Sequence, residues 1–218
     1  TTAAAIGQPM QTDASLRLQQ ASSTMLPSVA IMNGIEGSIL ALEGVSDVKG
    51  YENDTDATDA NSIPANSIAM IVEGGDAMQI ATVIANKKSM GVPTYGTTTE
   101  TVTDSSGAQR TINFFRPTET NIYVTLTLKA LANYTTTIGQ AAAQGIADYI
   151  AVQDIGSMLY VTRLYKAATL DDASGGLTYD ILNIEIGRTA DSVAASNLQL
   201  AFNERPVSSV SNITVSAS

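Results

Sequence analysis

The residues best suited to chemistry in this 218-residue chain crowd into one stretch, "VKGYENDTDATDANSIPANSIAMIVEGGD", residues 48–76. Asp54, Asp56, Thr58 and Asp59 offer oxygen ligands at near-alternate positions, loosely as the start of a calcium loop does. The calcium helix–loop–helix pattern also needs a glycine at its sixth position and a bidentate glutamate at its twelfth. Counted from Asp54, those positions hold Asp59 and Ala65, so both requirements fail. A solvated inter-strand loop, with Asp and Asn capping local turns, explains the composition more simply. Further on, Glu73 and Asp76 stand close enough in sequence for a paired-carboxylate mechanism, which would require a cleft around them. "EGGDA" before a helix could cradle an anion on free N–H groups, but the Asp76 carboxylate would occupy that place as an N-cap.

Two absences narrow the chemistry further. The chain has no Cys and no His, which removes Cys/His and Ser/His nucleophiles, the usual zinc sites and disulfides. Carboxylate pairs, Ser–Lys arrangements and a carboxylate-bound metal are what remain, and no GxGxxG or Walker-type loop occurs. An enzyme is disfavoured, and no catalytic, cofactor-binding or metal-ligating residue is expected. With 21 acidic and 11 basic residues the formal net charge is −10. The longest basic run is Lys87-Lys88, so the cationic footprint that nucleic acid requires is missing, and an anionic membrane surface is disfavoured too. Asn53, Asn133 and Asn212 open glycosylation sequons, which read as chance without a secretory signal at the start of the sequence.

The elements that would position these residues follow from periodicity. Asp13 caps a first helix bearing Leu16 and Leu18, and Ser28 caps a second with Ile31, Ile35 and Ile39 on one stripe, ended by Gly44. A strand at 45–52 leads into the acidic loop. Residues 67–74 are so continuously apolar that burial on both faces is expected. Asp76 opens a helix whose inner face would be Met78, Ile80, Ala81, Val83 and Ile84. Residues 97–116 read as a β-hairpin turning at Asp104-Ser105-Ser106-Gly107, its threonines suited to an exposed sheet face. Ile122, Val124, Leu126 and Leu128 alternate with polar residues, which predicts a strand with one wet and one dry face.

Beyond it, Ile138, Ala142, Ile146 and Ile150 define a helix over 137–155, and Ser157 would cap another reaching about Ala168. "LTYDILNIEIG" reads as a strand. The tail holds strand-like "NLQLAF" and "NITV", separated by Arg205-Pro206 and a serine-rich linker. The fold class is α+β: a helical N-terminal hairpin over 1–44, a small mixed sheet with a packed helix and a β-hairpin over 45–132, and a second helix-plus-strand region over 133–218. "FFRPTE", 114–119, differs in kind. There Arg116 followed by Pro117 presents a planar cation at a strand junction.

The order of these pieces resembles the baseplate J-like family of contractile phage tails. "QTDASLRLQQ" (11–20), "LEGVSDVKGYENDTDATD" (42–59), "PANSIAMIVEGGD" (64–76), "IANKKSMGVPTYG" (84–96) and "FFRPTE" (114–119) follow in the family's order and spacing. The likeness covers about 11–131 and loosens beyond. It implies a structural wedge protein of the tail baseplate, assembled in the host bacterial cytoplasm and carried in the virion. Its partners would be a second copy of itself and other wedge and hub proteins, with no small-molecule substrate. Family members carry a further N-terminal region, so the chain is expected to be a fragment. Tyr51, Glu52, Asn53, Arg116 and Pro117 fall in matching blocks and are the candidate subunit contacts, with a role in holding the fold the alternative. The competing function is a calcium- or carbohydrate-binding adhesin-like module. Against it stand an aromatic content of 5 % and the absence of Trp, which leave little surface for stacking on sugars.

Overall fold

The computed structural model describes residues 31–104 and 106–218, so the helix expected from Asp13, the Ser28 cap and Ser105 of the hairpin turn lie outside the described residues. The chain is α+β and divides into two compact units at Phe115/Arg116. The sequence suggests a boundary near 132–136. The division falls earlier because the strand at 123–130 pairs with strands that come later in the chain.

In the first unit, helix α1 (Ile31–Leu40) precedes strand β1 (Val45–Asn53), which pairs antiparallel with β2 (Ser67–Gly74). A two-residue strand β3 (Thr94–Tyr95) lies parallel on the far side of β2. Residues 67–72 of β2 are all buried, as a central strand covered on both faces must be. Ile68, Met70 and Val72 point into one core with Ile35 and Ile39 of α1 and with Ile80, Ala81 and Ile84 of helix α2 (Ala77–Lys87). Asp76 is the N-cap of α2, its carboxylate accepting from the Gln79 amide at 2.9 Å. Met78, placed by periodicity on the inner face, is 44 % exposed; it lies in the first turn, off the Ile80–Ala81–Ile84 stripe.

The expected hairpin is β4 (Thr98–Thr103) and β5 (Gln109–Phe114), paired antiparallel. Val102, Ile112 and Phe114 pack into the core, while Thr99, Thr101 and Thr103 face water. The Asp104 carboxylate pins the turn by accepting from the Ser106 and Ala108 amides, the Ser106 hydroxyl and Arg110 Nε. Those donors hold its pKa down at about 2, the Ser106 hydroxyl contributing most.

The second unit opens with β6 (Thr118–Asn121) and β7 (Tyr123–Ala130). Strand β7 lies between β9 (Tyr179–Gly187), antiparallel, and β13 (Ile213–Ala217), parallel; β10 (Val193–Ala194) completes a four-stranded sheet in the order β10-β9-β7-β13. Val124, Leu126 and Leu128 of β7, with Ile122 just before it, are buried against Ala142, Ala143, Ile146 and Ile150 of helix α3 (Thr136–Ala151). Leu164 and Ala168 of helix α4 (Val161–Ala168) complete that layer. Burying a residue of this size is worth roughly 1.5–3 kcal/mol.

Two expectations are corrected here. Ser157 does not cap a helix: Met158–Leu159 forms a short strand, β8, with β11 (Leu198–Gln199), and α4 starts after Tyr160. Arg205-Pro206 is not a separator but the middle of β12 (Glu204–Val207), parallel to β6. A two-stranded ribbon has only edge strands, where proline is tolerated.

Candidate functional site

The acidic loop between β1 and β2 is built around Asn53, whose side chain is 3 % exposed. Its amide nitrogen donates toward the carbonyls of Ala57 at 2.7 Å, Ile63 at 2.8 Å and Pro64 at 3.1 Å. Its oxygen accepts from the Thr55 amide at 3.1 Å and hydroxyl at 2.7 Å. Asp59 Oδ1 accepts from the amides of Asn61 at 2.9 Å and Ile63 at 2.8 Å, a turn of the Asx kind. Ile63, within the same loop, is fully buried. Asp54 and Asp56 point to solvent. Among the described residues, no group of three or more acidic side chains is gathered as a metal ion would require.

The other sequence candidates are likewise placed by local structure. Glu73 lies in β2 opposite Asp47, whereas Asp76 serves as the helix cap. Tyr51 is half-buried in β1; burial, and then the nearby Glu36 carboxylate, push its hydroxyl pKa up. Glu52 is exposed and lines a cleft of about 360 Å³ with the apolar Ile31, Met32, Ile35 and Val92. Lys88 also borders the cleft, but its Nζ donates to the Val92 carbonyl at 2.7 Å, and burial, then Arg110, push its pKa down. Among the described residues, this cleft brings one carboxylate and one ammonium to an apolar wall and no second acid. Arg116 and Pro117 are half-buried at the start of the second unit.

Sequence reasoning passed over the treatment of strand edges. The β1 amides of Val48 and Gly50 face away from β2, since Met70 and Val72, opposite them, bond to Phe115 on the other side. Both are taken by carboxylates: Val48 N–H by Asp47 Oδ1 at 2.8 Å and Gly50 N–H by Glu36 Oε1 at 2.6 Å. Gly50 permits this approach, because a Cβ there would collide with the Met32 sulfur and crowd Glu36. Charged groups over an edge suppress unwanted strand pairing.

In the second unit, Arg188 meets Glu204 in a bidentate pair, Nη1 to Oε1 at 2.5 Å and Nη2 to Oε2 at 2.7 Å. The Ala201 amide adds a third bond to Glu204 at 2.6 Å. The Arg188 bond foremost, with Ala201 and Thr120, holds the Glu204 pKa down at about 2. This pair fastens the end of β9 to the turn before β12, and it too is architectural.

No helix among the described residues is long and apolar enough to cross a membrane. The chain matches no model of a known protein family and no curated protein. The likeness to baseplate proteins therefore stands on the quoted sequence blocks alone.

Proposed function

We propose that the chain is a structural wedge protein of a contractile phage-tail or prophage-derived baseplate, working through subunit contacts rather than catalysis. The observation that carries this reading is the ordered series of five family-like blocks between residues 11 and 119. The geometry of the polar residues supports it: Asn53, Asp59 and Asp76 are committed to loop and cap hydrogen bonds, and Arg188 with Glu204 to a brace. Groups held this way rigidify a body that presents surfaces; they are not poised to exchange protons with a substrate. Neighbouring wedge proteins and a second copy are the partners this reading assigns. A wedge function gains from many modest contacts repeated around a ring. The test is assembly without the chain: tubes should then form without completed baseplates, and normal baseplates in its absence would refute the proposal.

A further inference from the structure

The sheet of the second unit leaves one strand position partly filled. On the side of β9 away from β7, β10 pairs only with Ile186 and Gly187. Next along that side, the Ile184 amide donates to the Tyr165 hydroxyl at 3.2 Å. Nearer the start of β9, the Leu131 amide donates to the Thr178 carbonyl, so residue 178 faces β7. Backbone direction alternates along a strand, which turns Asp180 toward β7 as well and Ile181 away from it. Among the described residues nothing pairs with the Ile181 N–H or C=O. Ile181 lines a cleft of about 420 Å³ with Tyr165, Lys166, Thr169, Gly176 and Tyr179. Asp180 also lines it, and stands opposite Lys129 in the pairing with β7. The Tyr179 hydroxyl is committed, donating to the Ala168 carbonyl at 2.6 Å and accepting from the Leu170 amide at 3.0 Å. Lys166 is exposed, and its ammonium meets no hydrogen-bond or ion-pair partner among the described residues. Leu177 and Leu182, which bracket this stretch of chain, are 72 % and 54 % exposed.

We infer that this cleft binds the C-terminal end of an extended peptide from a partner protein, laid antiparallel to β9 in line with β10. The site stands on strand geometry and charge and does not depend on the baseplate reading. A free N–H and C=O on one strand residue are matched by another extended backbone, which returns a C=O and an N–H at the same spacing. The position is closed at both ends. Tyr165 sits on the Ile184 amide at one end, and at the other Gly176 lies so close to the Leu170 carbonyl oxygen that a Cβ would come within 2.2 Å of it. Such a slot admits the end of a chain rather than its middle. An antiparallel chain runs from the Gly187 end of β9 toward Tyr179, so its terminal carboxylate arrives beside Lys166, which supplies a charge-assisted partner. A parallel chain would bring an ammonium terminus to the same place, against like charge. Leu177 and Leu182 offer apolar contact to the side chains of the last residues. Two backbone bonds and one exposed ion pair make a weak site, with a Kd on the order of 0.1–1 mM.

Titrating the isotope-labelled 218-residue chain with acetyl-Thr-Val-Val, a β-branched peptide with a free carboxylate, tests this by amide chemical shifts up to about 10 mM. The Ile181 amide should shift saturably, and its hydrogen exchange should slow. The same peptide closed as a C-terminal amide should bind at least about threefold more weakly, and acetyl-Thr-Val-Glu-amide, whose carboxylate is on a side chain, should also fall short of the free acid. Lys166→Met, an exposed change that leaves the core intact, should weaken the free acid by the same factor and leave the amidated peptide unchanged. Free leucine, which carries the carboxylate without an extended backbone, should bind more weakly than the tripeptide. The absence of a saturable shift at Ile181 would overturn the inference. So would equal binding of acid and amide, a Lys166→Met chain that binds the acid as wild type does, or free leucine binding as tightly as the peptide.

Discussion

Replacing Asn53 with alanine gives the sharpest test of the acidic loop as architecture. The change removes an amide that three carbonyls share and an oxygen that serves Thr55 twice. A typical hydrogen bond contributes about 1 kcal/mol net, and a buried partner left unsatisfied costs about 1–3 kcal/mol. The buried bond is the one to the Ile63 carbonyl, which keeps a second donor in the Asp59 amide, while Ala57, Pro64 and Thr55 are exposed, so water takes over part of what they lose. The total comes to about 2 kcal/mol from the stability of the first unit. In a unit of this size that lowers the melting temperature by roughly 8–16 °C. Hydrogen exchange at β1 and β2 amides reads the opening of this unit separately from the second. Asn53→Asp keeps the acceptor for Thr55 but turns a carboxylate toward three carbonyls, and should cost at least as much as alanine. A loss below about 0.5 kcal/mol for alanine, or wild-type stability for aspartate, would refute the clasp.

Four further outcomes follow from the same geometry. Because the folded pKa of Glu204 is held down at about 2 against an ordinary 4.5, its contribution is present above that ordinary value and lost as pH falls from about 4.5 to about 2. E204Q should therefore flatten the acid limb of stability in that window, followed by denaturation at stepped pH. Leu126→Ala, at a fully buried position facing α3, should cost about 2–5 kcal/mol in the second unit by urea unfolding. Gly74 has φ of +72° and its Cβ would run into the Gly44 carbonyl oxygen, so Gly74→Ala should destabilise the β2–α2 turn by at least ~1 kcal/mol, read by exchange at β2. Millimolar calcium should leave the melting temperature unchanged; a rise would revive the cation-binding alternative.

The strongly periodic parts of the fold were legible in the sequence. The alternation at 122–128, the continuous apolar run at 67–74 and the Asp76 cap all correspond to observed elements. So does the hairpin, because its threonine-rich outer face and turn residues report local conformation directly. What escaped was set by non-local pairing. Met158–Leu159 becomes a strand only because Leu198–Gln199 lies beside it, and Arg205-Pro206 joins a ribbon only because β6 supplies the partner. The unit boundary moved for the same reason, since β7 bonds to strands that come after α3 and α4 in the chain. Within the candidate residues, Asn53 reads as a family match in sequence, yet its side chain is spent inside the loop. The carboxylate caps on β1 carried a weak signal, Glu36 falling beside Ile35 on a helix that covers a glycine-bearing strand.

The most direct measurement is an electron cryo-microscopy map of a complete contractile particle that contains this chain. The account predicts density for both units in the baseplate ring around the hub, with subunit surfaces meeting neighbours and no substrate pocket at the interfaces. Finding the chain along the tube, in the capsid, or absent from the particle would contradict it.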